Sequence, residues 1–353
     1  MQFSIGHVLE FVDQTFLNPW VSIFVPVALQ LFTTSKLSIH PDTKSFLGYR
    51  LGPLPNLQSK ALKLVCAGLI LRINRVLSRR AMNNGVEAKF DWDKEIILVT
   101  GAAGGIGAEA AQKFAKRGSK VIVLDVLPLT YKAPSNLFYY QCDITSFDKV
   151  QALAGKIREE VGDPTCVVAN AGICRGKPIL QASSRDIELT FSVNNLGILW
   201  IAKAFLPSMA EHNHGHFLIT ASQAGYVTTS GVVDYGATKA AAVAIFEGLQ
   251  TELKHVYKAP AVRVSVINPS AVKTKMFDGL KAPSNFIMPR LSPADVGERI
   301  CEIVWSGRAQ NVMIPAFSYI AAPARCLPDW VRVGFQDGGA DAMTELRPHQ
   351  PLK

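Results

Sequence analysis

Ile96-Ile-Leu-Val-Thr-Gly-Ala-Ala-Gly-Gly-Ile-Gly107 runs without a break into Ala-Glu-Ala-Ala-Gln-Lys-Phe-Ala-Lys-Arg-Gly118. Its opening is an apolar, largely β-branched run of strand length, and its close carries apolar residues at helical spacing. Between the two, the glycines at 101, 105 and 107 let the backbone turn sharply and approach a pyrophosphate, whose charge is met by the helix N-terminus. Gly101, Gly105, Ile106 and Gly107 are therefore candidate cofactor-binding residues. No Lys-Ser/Thr pair follows the loop, which excludes a triphosphate-binding P-loop.

On either side of this unit, short apolar runs alternate with helical patterns. Strands are predicted at 96–100, 120–125, 137–142, 166–169, 217–221, 262–267 and 312–315, with connections long enough for crossover helices and few hairpin signals. That alternation predicts an α/β fold, a Rossmann-type doubly wound parallel sheet with helices on both faces. The second strand ends in Asp125, placed to accept hydrogen bonds from adenosine ribose hydroxyls and to repel a 2'-phosphate, which favours NAD over NADP. A strand-end acid capping a turn is the plainer reading of the same residue.

Tyr235-Gly-Ala-Thr-Lys239 follows Ser222, and the four-residue spacing puts phenol and ammonium on one helix face. A phenol titrating near pH 10 is a poor acid or base at neutrality. A neighbouring ammonium is expected to lower that value and bring Tyr235 into proton transfer.

With these residues in place, the chain resembles the short-chain dehydrogenase/reductase family over about residues 94 to 318. The motifs stand in family order: TGAAGGIG, Asp125, CDIT with Asp143, the NAG at 170–172, VNNLG with Asn194, Ser222, YGATK, and NPSAVKT at 268–274. The resemblance implies a catalytic tetrad of Asn194, Ser222, Tyr235 and Lys239. It implies that Asp143 meets the adenine, that Asn170, Ala171 and Gly172 line the adenosine ribose side, and that Thr274 meets the nicotinamide carboxamide. Tyr235 and Lys239 would also touch the cofactor. Asp143 capping the helix near Ser146 is the alternative for that residue, and Asn195 is the alternative to Asn194. Ser270 departs from the family, which usually has Gly after Pro269. The resemblance also implies a homodimer.

The ends of the chain are of another kind. Residues 1–90 hold 10 Lys/Arg and 4 Asp/Glu out of 37 and 28 in the whole chain, so most of the +9 net charge sits there. That placement points to an anionic membrane surface and away from a nucleic-acid partner. From Gln14 to Ser35 no residue is charged, and as a helix the stretch is about 33 Å long, enough to cross a hydrocarbon core. Pro19 and Pro26 leave a re-entrant or interfacial anchor open. Lysines and arginines begin only at Lys36, which places the rest in the cytosol. A second segment, 61–80, puts Leu69, Ile70, Ile73, Val76 and Leu77 on one helical face with Arg72, Arg75 and Arg79 opposite. It reads as a basic amphipathic helix lying in headgroups, or as a helix packed on the domain.

The division expected is thus a membrane-associating extension at 1–93, an NAD-binding catalytic domain at 94–318 and a C-terminal extension at 319–353. The extension, together with Met313-Ile-Pro315, Leu327-Pro-Asp-Trp330 and Met343-Thr-Glu-Leu346, resembles the membrane- and lipid-droplet-associated branch acting on retinol and hydroxysteroids. The location this implies is the endoplasmic reticulum membrane or a lipid droplet.

The apolar share of 48% excludes disorder. The six cysteines, at 66, 142, 166, 174, 301 and 326, show no framework spacing and read as reduced thiols. His212, His214 and His216 lack accompanying ligands at zinc spacing, so no metal is expected. The function expected is NAD-dependent interconversion of an alcohol and a carbonyl on a lipophilic substrate, with the loop from Met276 to Pro293 supplying the apolar wall. A dinucleotide-binding regulator and a lipid-surface structural protein are the alternatives.

Overall fold

The computed structural model describes residues 5–28, 45–46, 49–50, 54–281, 286, 289–343 and 346. Ile5–Ala81 form one compact unit and Met82–Lys353 the body of another.

In the N-terminal unit, α1 (Ile5–Gln14) stops where the uncharged stretch was expected to begin. Asn18 then caps α2 (Pro19–Ser22), its side chain accepting the Trp20 N–H at 3.1 Å, with Pro19 at the first helical position. An apolar helical stretch continues over Pro19–Ala28. Proline lacks the N–H that a continuous helix needs, so a single helix does not run through Asn18-Pro19. Residues 29–35 of the expected anchor lie outside the described residues. The second predicted segment is helical and longer than expected, α3 (Leu54–Met82). Its apolar face is exposed as read, with Ile70, Val76 and Leu77 each above 60%. Its cationic face differs: Arg75 makes a two-point ion pair with Asp13 at 2.6 and 2.9 Å, and Arg72 donates to Asn18 Oδ1 at 2.7 Å.

The larger unit is built on seven strands: β1 (Ile96–Thr100), β2 (Lys120–Asp125), β3 (Leu137–Gln141), β4 (Cys166–Ala169), β5 (His216–Thr220), β6 (Arg263–Pro269) and β7 (Asn311–Ile314). Every pairing between them is parallel, and the order across the sheet is β3-β2-β1-β4-β5-β6-β7. Strand order therefore reverses between β1 and β4, which opens a crevice at their carboxyl ends.

Alternation along each strand feeds two cores. Ile97, Val99, Val121 and Val123 face α4 (Gly105–Lys116) and α9 (Pro293–Trp305), whose Phe114, Ile300 and Val304 are buried there. Leu98, Ile122, Phe217 and Ile219 face α5 (Phe147–Glu160), α7 (Gly197–Glu211) and α8 (Val233–His255). Phe205 and Phe217 are fully buried in the second core, and truncating either to alanine costs about 3–5 kcal/mol. Between α5 and α7 lies the short α6 (Ser184–Phe191), held at its start by a Ser183/Asp186 capping box. Among the described residues one helical stretch, Ser184–Glu211, is long and apolar enough to cross a membrane; 61% of its apolar window is buried inside the protein, as expected of a core helix.

Residues 82–93, assigned above to the extension, pack with the sheet unit. The buried Arg263 guanidinium donates to the carbonyls of Asn83 at 3.0 Å and Val86 at 2.5 Å, and Phe90 and Trp92 stack against the first core. The three histidines separate in role. His216 is fully buried on β5 and bonded to Ser265 at 2.8 Å, and His214 bonds Glu95 at 3.1 Å.

Candidate active site

The glycine loop sits at the carboxyl end of β1, on the β1/β4 crevice. Gly101 and Gly105 have φ of +65° and +60°, the left-handed region that side chains with a Cβ resist. A Cβ at Gly101 would lie 2.6 Å from Ala171 Cα, and one at Gly107 would fall on the Gly101 carbonyl and 2.7 Å from Asn170 Nδ2. The loop is thus closed against β4 at two points. Asn170 completes the closure, donating from Nδ2 to the carbonyls of Thr100 and Gly101, both at 3.1 Å. Ile106 points into the first core, anchoring the start of α4.

Asp125 holds the loop from the other side. One carboxylate oxygen accepts the Ala103 N–H at 2.8 Å and the other accepts the Leu127 N–H at 3.0 Å. Each oxygen keeps a further acceptor site, so the observed turn-capping role leaves room for the ribose contact expected of it. Two residues that sequence reasoning missed brace the same loop: Thr130 and Tyr131 donate to the carbonyls of Ala103 and Ala102 at 2.6 and 3.0 Å. Asp143, just past β3, accepts from Thr145 N–H and hydroxyl at 3.0 and 2.7 Å. The helix cap expected of it as an alternative is made instead by Ser146.

Beyond the loop, the catalytic candidates converge. Asn194 lies in a π-helical turn, Ser192–Leu196, between α6 and α7, a distortion that recurs at functional sites. It is fully buried, donating to Ile173 O and Thr238 Oγ1 at 2.9 Å while its Oδ1 accepts the Ile173 N–H at 2.8 Å. Asn195 turns away to the Thr238 carbonyl. Tyr235 and Lys239 share a face of α8, and Lys239 Nζ lies 5.6 Å from the Tyr235 ring centroid and donates to Thr220 O at 2.8 Å. A Cβ on Gly172 would sit 3.4 Å from Asn194 Oδ1 and 3.5 Å from Lys239 Nζ, so these three meet at one point. Ser222, after β5, lies beside the Tyr235 side chain and donates to Pro269 O at 3.3 Å. Thr274 comes back over the loop, its Cγ2 3.9 Å from where a Gly105 Cβ would be. Ser270 does not adopt a positive φ, so this backbone does not need the glycine usual there.

The electrostatics depart from expectation. Burial pushes the Tyr235 phenol above its ordinary value, Cys174 adds to the shift, and the neighbouring Ser222 hydroxyl opposes it. The same burial lowers Lys239 to about 8. Expected activation by the ammonium does not prevail here, because both groups are desolvated and Nζ is directed at the β5 backbone. In this state Tyr235 is a neutral phenol, ready to give a proton.

The substrate loop is met in part. Phe277 stacks edge-on against Tyr235 at 5.7 Å, with Met276 and Leu280 in the same cluster. Leu291 instead pairs with Val272 and joins the first core. Ile287 and Met288 lie outside the described residues.

No side chain caps the start of α4 at Gly104, and the loop around it admits no Cβ at Gly101 or Gly107. An anion at that helix N-terminus, with an acid at the end of β2, fits a nicotinamide dinucleotide. Fold and site together define a dinucleotide-binding oxidoreductase of the doubly wound α/β class. The family described as short chain dehydrogenase matches residues 95–285, and the chain belongs to it. It is 32% identical over 242 residues to short-chain dehydrogenase/reductase family 16C member 6 of Bos taurus, covering 66% of this chain and 76% of the relative. It is 33% identical over 219 residues to epidermal retinol dehydrogenase 2 of Homo sapiens, covering 60% and 71%. Among solved structures, serine dehydrogenase from Escherichia coli superposes with a TM-score of 0.53 at 28% identity, covering 62% of this chain and 96% of that one.

Proposed function

We propose that this chain interconverts an alcohol and a carbonyl on a lipophilic substrate, using NAD and the tetrad Asn194, Ser222, Tyr235 and Lys239. The observation that carries the proposal is the meeting of Tyr235, Lys239, Ser222 and Asn194 beside a glycine cradle closed on Asn170 and Ala171. When bound, the nicotinamide accepts or returns the hydride. Gly101, Gly105, Ile106 and Gly107 would hold the pyrophosphate and Asp125 the ribose. Asp143 and Asn170 would lie along the adenosine, Ala171 and Gly172 along the floor, and Thr274 against the carboxamide.

Ser222 holds the substrate oxygen by a hydrogen bond while Tyr235 exchanges a proton with it. In reduction the neutral phenol is already the competent donor. In oxidation the carbinol proton goes to the Tyr235 oxygen as phenolate, and Lys239 is the cation placed to stabilise that anion. Asn194 positions the pair through Thr238 and the Ile173 backbone. The raised phenol makes oxidation rise with pH only as far as Lys239, lowered to about 8, keeps its charge.

Asp125 favours NAD, because its carboxylate would stand against a 2'-phosphate. The likeness to epidermal retinol dehydrogenase 2 supports a lipophilic substrate, of the retinoid, steroid or long-chain alcohol kind. The N-terminal unit supports membrane or lipid-droplet attachment, since Trp20 and Phe24 are 73% and 70% exposed. A location at the endoplasmic reticulum membrane or a lipid droplet with the catalytic unit in the cytosol, and a homodimer, complete the reading. The test is purified full-length protein with NAD or NADP at equal concentration and a panel of retinoids, hydroxysteroids and long-chain alcohols, followed by absorbance of the reduced cofactor. NAD-linked oxidation is the expected result. Turnover with NADP alone overturns the cofactor assignment, and no turnover with any alcohol overturns the activity.

A further inference from the structure

Tyr235 is only 5% exposed, although the proposed chemistry requires a substrate oxygen to reach its hydroxyl. Whatever arrives there must touch or displace the side chains that cover it. Tyr235 shares a buried cluster with Cys174, Val232, Leu280 and Leu346, against which Phe277 and Met343 pack. Leu280 and Phe277 belong to the loop after β6, where a substrate wall is expected. Leu346 and Met343 lie far beyond residue 285, where the family match ends.

Their position is built in several places. In and just after α10 (Asp329–Gly338), the chain is tied to the loop that leads into α8: Gln336 donates to Thr228 O at 2.8 Å and Ser230 to Ala340 O at 2.5 Å. Lys281 N–H donates to Ala342 O at 3.0 Å, joining this segment to the loop that carries Leu280. A Cβ on Gly231 would lie 3.3 Å from Met343 Cβ, and one on Gly176 would collide with the Leu346 side chain. Gly176 has φ +60°, so the chain two residues past Cys174 is bent into a shape that leaves room for Leu346.

We propose that the segment ending at Leu346 forms part of the substrate-binding wall, and that Leu346, backed by Met343, is a specificity-determining residue for an apolar substrate. The inference rests on the alcohol–carbonyl activity proposed above and adds a part of the chain to it. An apolar side chain at a substrate wall discriminates by size: removing its methyls leaves a bulky substrate poorly held, while a short one gains little from it to begin with.

Full-length Leu346→Ala and Met343→Ala are compared with wild type on a bulky ring-bearing alcohol and a short primary alcohol, with NAD binding followed by fluorescence. The ratio of kcat/KM between bulky and short alcohol is expected to fall about tenfold in Leu346→Ala, through KM, and less in Met343→Ala, with NAD affinity unchanged. A second readout is independent of turnover. Cys174 is buried under the same cover, and burial holds its thiol up at about 12. Its labelling by a maleimide, located by peptide mass spectrometry, should increase in Leu346→Ala, with Cys66 and Cys326, both exposed, as internal references. An active wild type whose substrate ratio and Cys174 labelling are both unmoved by Leu346→Ala overturns the role of this segment and leaves the activity standing. A wild type inactive on every alcohol overturns the underlying reading and this inference with it.

Discussion

The two units of this chain follow opposite rules for their apolar side chains. In the sheet unit, Phe114, Phe205 and Phe217 are fully buried and even a histidine and an arginine are taken into the interior. In the N-terminal unit, Phe16, Trp20, Phe24, Ile70, Val76 and Leu77 are all more than half exposed, while Arg75 and Arg72 are occupied with Asp13 and Asn18. Apolar groups leave water wherever they can. The contrast teaches that exposed apolar surface is concentrated in the smaller unit, as the proposed attachment to an apolar phase requires, and that one of its arginines, Arg75, is paired within the unit.

The strongest way to break this division of labour is to disable one unit and look for damage in the other. Tyr235→Phe removes the proton donor and should lower turnover by about 10²–10⁴-fold, with binding to phospholipid vesicles unchanged in a flotation assay. Loss of vesicle binding in that variant would show that the two units do not act separately. A middle-sized effect is expected from the apolar surface. Trp20→Ser with Phe24→Ser forfeits about 1.5–3 kcal/mol for each side chain that lipid would bury, and should release protein from vesicles by centrifugation. A high-salt wash should leave wild type bound, because salt does not weaken apolar transfer. Release of wild type by salt alone would return the attachment to surface charge.

The smallest effect sharpens the other side of the comparison. His216 is held neutral, its value lowered to about 3 by burial and by Arg263 beside it. The unfolded chain takes up this proton near pH 6.5 and the folded one only near 3, so the stability tied to the neutral ring is complete above pH 6.5 and is lost as pH falls toward 3. Thermal unfolding of the full chain should therefore show a Tm that declines over that window, and His216→Asn should flatten the decline. An unchanged slope in His216→Asn would mean that other groups govern it.

Sequence reasoning located the strands because a parallel sheet buries both faces and leaves continuous apolar runs. Two of its boundary errors fall where polar residues are buried. β5 begins at His216 and β6 at Arg263, each one residue off the predicted start of Phe217 or Val262. Local pattern gave no reason to bury an imidazole or to drop Val262; the pairing of His216 with Cys166 and Arg263 supplies it. Likewise, the glycine loop, Ser222 and Tyr235 with Lys239 carry their spacing openly. Thr130 and Tyr131 act through hydrogen bonds to carbonyls distant in the chain, Ala103 and Ala102, while Asn194 is legible from its motif although no periodicity marks its π-turn. Arg72 and Arg75 read as a headgroup-facing surface because their partners, Asn18 and Asp13, are more than fifty residues away.

The contacts at Gly101 and Gly107 limit how this protein can change. With Gly101 pressed on the Ala171 backbone and Gly107 on the Gly101 carbonyl and the Asn170 side chain, a larger residue at either position has nowhere to go. Asp125 and Val126, at the end of β2, are only half-buried, and what holds Asp125 is hydrogen bonding and not backbone crowding. Given the proposed cofactor site, a lineage that switches its redox currency does so at the rim of the cradle, leaving its floor unaltered.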